Sequence, residues 1–314
     1  MSYSRKFIGL YMKTTVLIIR LIGWFSSGDI KKAKDKSNEY KGKILTNYFA
    51  QNYLPIIENM KQKEITGELK IDNTQTPETI WQFWDNPAGR TTPAIVKASF
   101  ESVEKFKGNF ERKILNNSTI ENYSDLPGYV LDKFKNGQMD YAHFSDLLRL
   151  NLLRNHGGIW LDATAYMTDL VPEYITNQDF FVFLTGKLTH FPYSFMQTCF
   201  IRAKKGSFLC DAWYQMCIEY WKTETKKLEY FQIHLMFKAL VEKNPIAKKL
   251  FAEMPHRSDD EINQLVGDNL FKKFDKNEWD KIKKMSFFQK TTYRVANTAA
   301  YADTYFSKLS EGKL

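Results

Sequence analysis

The pattern of apolar and polar positions predicts strands that alternate with helices through the middle of the chain. Apolar, β-branched or aromatic runs predict strands at 79–84, 159–162, 179–184 and 195–203, and 110–116 is a further strand candidate. Apolar residues at helical spacing predict helices at 92–106, at 140–156 and from about 207 onward. This alternation indicates an α/β sheet with helical additions.

The helix predicted at 140–156 leads directly into the apolar strand at 159–162. Gly157 is placed to end the helix in the left-handed conformation, and Asp162 stands at the far edge of the strand. An aspartate there is most often a turn residue. Because ligands of open α/β sheets bind beyond the carboxyl ends of strands, Asp162 is also a candidate for a ligand site.

Residues 7–26 are mostly apolar, but charged residues interrupt the run. Lys6, Lys13 and Arg20 are spaced by seven, so on a helix they share one narrow face. The pattern favours a helix that lies in a membrane interface with its basic groups toward anionic headgroups. A helix packed on the protein's own core is the alternative. A cleaved signal peptide is disfavoured, because charge breaks the apolar region and no small-residue cleavage pattern follows.

Composition narrows the classes of protein. With 314 residues and 43% hydrophobic composition, the chain suffices for one large domain with additions or for two domains. The net charge is +9, of which residues 1–36 contribute +6 through eight basic and two acidic residues. This placement argues against a nucleic-acid groove across the body. The three cysteines form no CxxC pair, which argues against a disulfide framework and fits a reducing cytosol.

Three charged residues converge on one region of the predicted fold. Asp146 and Arg149 are three apart and lie on neighbouring positions of one helix face. Such a pair is often only a surface ion pair. This helix, however, runs through Gly157 and Gly158 into the strand that carries Asp162. Arginine suits phosphate or sugar hydroxyls, aspartate suits hydroxyls, and a strand-end carboxylate can hold a divalent cation that neutralises a diphosphate.

The stretch "HFSDLLRLNLLRNHGGIWLDAT" (143–164) resembles the SD-x-x-R…GG-[IVY]-x-x-D-x-D signature of glycosyltransferases with DXD motifs. It is most similar to the bacterial capsular polysaccharide synthesis family, of which the large clostridial glucosylating toxins are distant relatives. The blocks "TIWQFWDN", "FIRAKKGSFLCDAWYQMCIEYW", "YFQIHLMFKALVEKNP" and "MPHRSDDE" also resemble the family. The resemblance implies a GT-A-type nucleotide-diphospho-sugar transferase fold, a Rossmann-like mixed sheet with helical N- and C-terminal additions.

The resemblance also implies an activity and the residues that carry it. A sugar is taken from a nucleotide diphosphate, usually UDP, with retention of anomeric configuration. The acceptor is expected to be a growing capsular or exopolysaccharide glycan on a membrane lipid carrier. The expected catalytic residues are Asp162, Asp146 and Arg149. The expected donor-binding residues are Trp84, which corresponds to an aromatic residue that stacks on the base, with Asp146, Arg149, Gly158 and Lys290.

The match departs from the DXD pattern at Thr164, where a second acid would be a direct metal ligand. A neutral hydroxyl is a weaker ligand for Mn²⁺ or Mg²⁺. The resemblance still implies one of these cations, held by Asp162, Thr164 and His256, with Asp259 and Asp260 as candidate helpers. We expect a lower metal affinity than at a site with two acids. His234, on a helical pattern, is either a core histidine or a site residue.

Four segments organise the chain on this interpretation. They are a basic amphipathic membrane-associating segment (1–36), a helical lead-in and linker (37–77), the catalytic domain (78–255) and a C-terminal helical part that completes the active site (256–314). The expected location is cytoplasmic, peripheral on the inner face of the cell membrane. Two competing hypotheses are a non-catalytic nucleotide-sugar- or carbohydrate-binding protein on the same fold, which Thr164 favours, and a membrane-associated scaffold of a polysaccharide assembly complex.

Overall fold

The structure, a computed structural model, describes residues 5–57, 78–86, 89–189, 191–295 and 298–314. The central sheet contains five strands: β1 Thr79–Phe83, β2 Glu111–Leu115, β3 Gly158–Leu161, β5 Phe180–Leu184 and β6 Met196–Ala203. Two further strands, β4 Ala165–Met167 and β7 Phe288–Lys290, pair with each other in a small second sheet. Each of the five predicted strands is present to within one residue at either end.

The strand order in the central sheet is β2-β1-β3-β6-β5. Strand β1 runs parallel to both β2 and β3, whereas β6 runs antiparallel to β3 and β5. Every residue of β1 and β3 is buried, as expected for strands covered on both faces. The prediction of a mixed α/β sheet with helices at both ends of the chain is confirmed.

Helices surround this sheet and extend the chain at both ends. They are α1 Arg5–Ser27, α2 Ile30–Tyr53, α3 Ala94–Phe106, α4 Gly128–Lys135, α5 Tyr141–His156, α6 Glu173–Thr176, α7 Phe208–Thr223, α8 Gln232–Lys243, α9 Pro245–Glu253, α10 Lys276–Met285 and α11 Tyr305–Ser310. Helix α5 begins where the Asp140 carboxylate accepts a hydrogen bond from the His143 amide. Ten of its sixteen residues are buried, so α5 is a core helix rather than a surface helix with one apolar face.

Two glycines join α5 to β3 where no side chain fits. Gly157 has φ +72° and a Cβ there would lie 2.6 Å from the Lys205 amide nitrogen. Gly158 has φ +104°, and its Cβ would lie 2.2 Å from the Thr79 carbonyl oxygen. Since β3 pairs with β1 at this point, a side chain would separate the two strands. The two glycines therefore allow a short connection between α5 and β3, which keeps α5 close to Asp162.

Helices α1 and α2 form an antiparallel hairpin that crosses the expected boundary at residue 36. At its tip a Cβ on Gly23 would lie 3.0 Å from the Ala33 Cβ, and Gly28 takes φ +65° in the connecting turn. The second half of α2 enters the main core through Leu45 and Phe49. The two N-terminal segments expected from sequence are thus one structural unit, while residues 58–77 of the expected linker lie outside the described ranges.

One of the three basic residues predicted to share a face of α1, Arg20, contacts the neighbouring helix α2. The Arg20 guanidinium donates hydrogen bonds to Ser37 (Nε to Oγ, 2.9 Å) and Asn38 (Nη2 to Oδ1, 3.4 Å) on α2. Arg20 therefore turns toward its neighbouring helix, because α2 offers polar partners there. Lys13 is exposed, and the side chain of Lys6 lies outside the described part of the chain.

Candidate functional site

Asp162 follows β3 directly and lies at the carboxyl end of that strand. Its amide donates to the Cys199 carbonyl, and its own carbonyl accepts from the Ala165 amide, both at 2.9 Å. The carboxylate accepts from Trp160 Nε1 at Oδ1 (2.9 Å) and from Lys290 Nζ at Oδ2 (2.5 Å). Burial raises the pKa of Asp162, but Lys290 and Arg149 outweigh burial and lower the pKa to about 2. Asp162 is consequently a fixed negative charge.

Arg149 lies between the two aspartates that the sequence singled out. Its Nη1 is 3.2 Å from Asp146 Oδ1, and its Nη2 is 3.6 Å from Asp162 Oδ1. Nη1 also donates to the Thr198 carbonyl (2.9 Å), and the guanidinium lies 5.0 Å from the centre of the Trp160 ring. Burial raises the pKa of Asp146 and outweighs the lowering by Arg149. The predicted convergence of these three residues is therefore present in the structure.

A cavity of about 720 Å³ opens above these residues. Its volume is within the usual range for a small-molecule site. Trp84 lies on its wall beside Tyr293, with ring centroids 4.9 Å apart and ring planes nearly perpendicular. The cavity brings together four of the predicted site residues with Thr164: Trp84, Asp146, Arg149 and Asp162.

Lys290 reaches this site from β7, far along the chain. In the β4–β7 ladder Lys290 is paired with Ala165, and its amide donates to the Ile262 carbonyl at 2.8 Å. Burial lowers the pKa of Lys290, but the Asp162 carboxylate outweighs burial and raises it. The side chain is therefore protonated and held against Asp162. Asp162 lines the cavity and Lys290 lies beside it, off the cavity wall.

Thr164 is held through its backbone. Its carbonyl accepts hydrogen bonds from the Thr291 amide (2.9 Å) and from the Thr291 hydroxyl (2.8 Å). Its side chain lines the cavity. The position of the second acid of a DXD motif is thus occupied by a neutral group on a rigid turn.

Two residues assigned by position in the sequence lie elsewhere. Gly158 opens β3 at the end opposite Asp162 and packs against Thr79, so it shapes the sheet and does not line the cavity. His256 also lies off the cavity wall. Its Nε2 is 3.2 Å from the Phe251 carbonyl oxygen, and its ring centroid is 5.1 Å from that of Phe251.

Asp259 and Asp260, the candidate metal helpers, instead accept hydrogen bonds from the backbone of a loop. Asp259 accepts from the Gly186 amide and from Gln197 Nε2, each at 2.6 Å. Asp260 accepts from the amides of Lys187 (3.0 Å) and Leu188 (2.6 Å). Backbone amides need acceptors wherever a loop leaves a strand, and these carboxylates supply them. Both acids hold the segment that follows β5.

The donor set at Asp162 does not fit a resident divalent cation. Both carboxylate oxygens already accept hydrogen bonds, from Trp160 and Lys290, and Thr164 adds no negative charge. Across the described ranges there is no group of three or more His, Cys, Asp or Glu side chains that could hold a metal. The cations at this carboxylate are Lys290 and Arg149.

Several cavity residues were not predicted from the sequence. Trp160, two residues before Asp162, orients that carboxylate. Arg90, Tyr293 and Arg294 line the cavity from segments outside helices and strands, where periodicity gives no signal. His234, for which the sequence left a core or a site role open, lines the cavity from α8 and is 7% exposed. Burial and then the neighbouring Arg149 lower the pKa of His234 to about 3, so it is a neutral site residue.

Comparison with known proteins places most of the chain in one family. The family model for the capsular polysaccharide synthesis protein matches residues 27–309. No curated protein matches the sequence. Among solved structures, the chain is similar to "PaToxG Glycosyltransferase", with a TM-score of 0.39 and 14% sequence identity over 78% of this chain and 99% of that chain. The family match includes Asp146, Asp162 and Lys290, and it confirms the family predicted from sequence. The chain belongs to the capsular polysaccharide synthesis protein family.

Proposed function

We propose that this family member is a glycosyltransferase that moves a sugar from a nucleoside diphosphate, with UDP as the nucleotide, to a growing capsular or exopolysaccharide chain. The observation that carries the proposal is the arrangement of Asp162 with the buried Asp146 and Arg149 at the floor of the 720 Å³ cavity. Ionised groups that converge on one cavity without a structural need for burial are typical of an active site.

The donor has a natural orientation in this cavity. The base lies against the Trp84 ring, beside Tyr293, because aromatic faces bind nucleobases by stacking. Arg90 and Arg294 line the same cavity, and guanidinium groups bind phosphate oxygens with two parallel hydrogen bonds. Asp146 accepts hydrogen bonds from sugar hydroxyls. The reacting carbon then lies close to Asp162 and the cations beside it.

Catalysis is electrostatic on this proposal. The bond between the sugar and the diphosphate oxygen breaks, its electron pair stays on that oxygen, and the positive groups around it stabilise the leaving diphosphate. Both acids at the floor are paired with cations: Asp146 with Arg149, and Asp162 with Arg149 and Lys290. Neither is free as a nucleophile, which supports attack by the acceptor from the same face and retention of configuration. The acceptor proton goes to an oxygen of the departing diphosphate.

The proposal that the acceptor is lipid-linked rests on the exposed apolar surface of α1. Its side chains Leu10, Leu17, Leu21 and Phe25 are exposed, Phe25 by 79%. At 100° per residue, the exposed apolar positions of α1 cover an arc of about 160°, while Ile8, Met12 and Val16 pack into the core. Ile8–Ser26 is also the one stretch of the described chain long and apolar enough to cross a membrane, with a mean hydropathy of 1.4.

We propose that this arc lies in the cytoplasmic leaflet and holds the catalytic domain beside its acceptor. Lys31, Lys32, Lys34 and Lys36 are exposed at the tip of the hairpin, where they can contact anionic headgroups. Since α2 continues from the tip into the core, contact on one face of α1 suits a peripheral location.

The test is a panel of UDP- and GDP-sugars incubated with the purified protein and membranes that carry acceptor, with nucleotide release and polymer extension measured. The proposal expects release with one donor and extension of the glycan. Binding of a donor without release or extension under all conditions contradicts it. That outcome favours the second candidate, a nucleotide-sugar-binding protein, for which Thr164 at the second acid position is the supporting observation.

A further inference from the structure

We propose that the Lys290 ammonium takes the place of the divalent cation at this site, so that the nucleoside diphosphate binds and the sugar is transferred without a metal ion. The inference rests on the proposed function and adds to it the cation that faces the leaving group. It departs from the Mn²⁺ or Mg²⁺ implied by the family's sequence signature.

The first argument is occupancy. Lys290 Nζ lies 2.5 Å from Asp162 Oδ2, which is where a cation bound by this carboxylate would have to sit. The other oxygen accepts from Trp160 Nε1 at 2.9 Å, with Arg149 Nη2 at 3.6 Å. A metal ion could reach Asp162 only by displacing one of these groups.

The second argument is that Lys290 is fixed by the backbone. It is paired with Ala165, three residues after Asp162, in the β4–β7 ladder. Its amide is bonded to Ile262, and the next residue, Thr291, donates twice to the carbonyl of Thr164. The turn that carries Asp162 and the strand that carries Lys290 are thus bonded together on both sides of the ion pair, unlike a surface lysine that meets an acid by chance.

The third argument is charge. The two carboxylates Asp146 and Asp162 are paired with two cations, Arg149 and Lys290, so they are balanced without a metal. Thr164 adds no negative charge of the protein that would favour a divalent ion over the ammonium. An ammonium has three N–H donors, and among the described residues Asp162 is the only hydrogen-bond partner of Nζ. The Lys290 side chain is 25% exposed, so a diphosphate oxygen that approaches Asp162 can accept from the remaining donors.

The chemical step balances with Lys290 as a hydrogen-bond donor that keeps its proton. The carbon–oxygen bond of the donor breaks, and the electron pair remains on the diphosphate oxygen. The acceptor hydroxyl oxygen forms the new bond to the sugar carbon. Its proton passes to the diphosphate, which leaves with one added proton, and no other reactant is consumed.

The experiment measures UDP and GDP binding by calorimetry, and donor turnover, in the full-length protein with EDTA or with an excess of Mn²⁺ over protein. We expect one nucleotide to bind with the same affinity, within about threefold, in both conditions, and turnover to follow. Binding and turnover that appear only with Mn²⁺ overturn the inference. Metal-independent binding without turnover for any donor contradicts the proposed function and leaves Lys290 as the diphosphate-binding cation. No binding in either condition overturns both.

Variants separate this role from a structural one. Lys290→Ala should lose about 100-fold in turnover, and Mn²⁺ should restore part of it because the space beside Asp162 is vacated. Lys290→Ala combined with Thr164→Asp should bind Mn²⁺, measured by electron paramagnetic resonance, where the wild type does not. Lys308→Ala is the matched control, since it breaks a comparable 2.8 Å pair with Asp303 away from the cavity. Tight Mn²⁺ binding by the wild type, or a loss in Lys290→Ala that Mn²⁺ does not change, contradicts the proposal.

Discussion

The Trp160 indole donates a 2.9 Å hydrogen bond to the carboxylate of Asp162, two residues further along the chain. The same ring lies under the Arg149 guanidinium, with 5.0 Å between the guanidinium carbon and the ring centre. One side chain therefore orients both an anion and a cation of the site. Because Trp160 is buried in β3, the strand itself fixes the direction in which the Asp162 carboxylate points.

Trp160→Phe should separate orientation from packing. It removes the indole donor but keeps an aromatic ring beneath Arg149. A hydrogen bond to a charged group contributes about 1.5–3 kcal/mol, so we expect turnover to fall by roughly tenfold or more. The smaller ring at this fully buried position also lowers the melting temperature, which is measured separately. Steady-state kinetics and thermal unfolding test this. Unchanged turnover would mean that Lys290 and Arg149 suffice to orient Asp162.

Asp162→Asn and Asp146→Asn should each remove most sugar transfer, by roughly 100-fold or more, while the fold is retained. Asparagine has the shape of aspartate but cannot balance Arg149 or Lys290. Nucleotide release and circular dichroism are the measurements. Asp179→Asn is the control, since Asp179 pairs with Lys204 at an exposed position outside the cavity. Near-normal transfer by either site variant would rule out the proposed site.

His234 predicts how stability depends on pH. Its folded-state pKa is lowered to about 3 by burial and by Arg149, whereas an unfolded histidine titrates near 6.5. Between these values the unfolded chain binds the extra proton, so stability falls as pH is lowered through 6.5. Linkage gives a loss of about 2 kcal/mol between pH 7.5 and 5 from this residue alone.

Urea unfolding of the wild type and His234→Gln at both pH values measures this contribution. The wild type should lose about 2 kcal/mol more than the variant on acidification, since the other titrating groups are common to both. Equal losses in the two proteins would show that His234 is hydrated and titrates normally.

The glycine turn gives a prediction on stability. Gly158→Ala places a Cβ 2.2 Å from the Thr79 carbonyl oxygen, so we expect a loss above about 4 kcal/mol or failure to fold. Gly137→Ala is the control. Gly137 also has positive φ (+69°), but a Cβ there has no neighbour within 4 Å, so only the backbone strain of about 1 kcal/mol applies. Soluble yield and urea unfolding compare them, and similar small losses would show that β3 can shift away from β1.

Membrane contact by α1 is tested with vesicles. Leu17→Glu replaces an exposed apolar residue of the arc, 58% exposed, and should weaken binding to phosphatidylglycerol vesicles at least tenfold, since burial of leucine contributes about 1.5–3 kcal/mol. Asn47→Glu adds the same charge at an exposed position of α2 and should have little effect. Cosedimentation measures both. Equal binding by the two variants would contradict the proposed membrane face.

Local patterns predicted the parts of the site that are close in sequence. Asp146, Arg149 and Asp162 lie on one helix and the strand that follows it, so helical spacing and the glycine pair suffice to bring them together. Four of the five strands of the central sheet were found from apolar, β-branched or aromatic residues, whereas β2 contains Glu111, Arg112 and Lys113 and was only a strand candidate. The antiparallel direction of β6 was not predicted, because apolar runs carry no information about direction.

Local sequence patterns did not predict the contacts between segments that are distant along the chain. Strand β7 has three residues, too few for a periodic signal, and its pairing with β4 depends on tertiary structure. The sequence resemblance pointed to Lys290 but not to its partner. The same resemblance assigned Gly158 to the donor and His256 to a metal. In the structure Gly158 packs against the backbone of Thr79, and His256 contacts the Phe251 carbonyl.

The distance along the chain between Asp162 and Lys290, 128 residues, sets an order of events during synthesis. Asp146 on α5 and Asp162 after β3 are synthesised well before β7. Until β7 pairs with β4, the Asp162 carboxylate lacks its ammonium partner. On the proposed roles, a chain that stops short of β7 carries Asp146, Arg149 and Asp162 but cannot complete the ion pair at the leaving group.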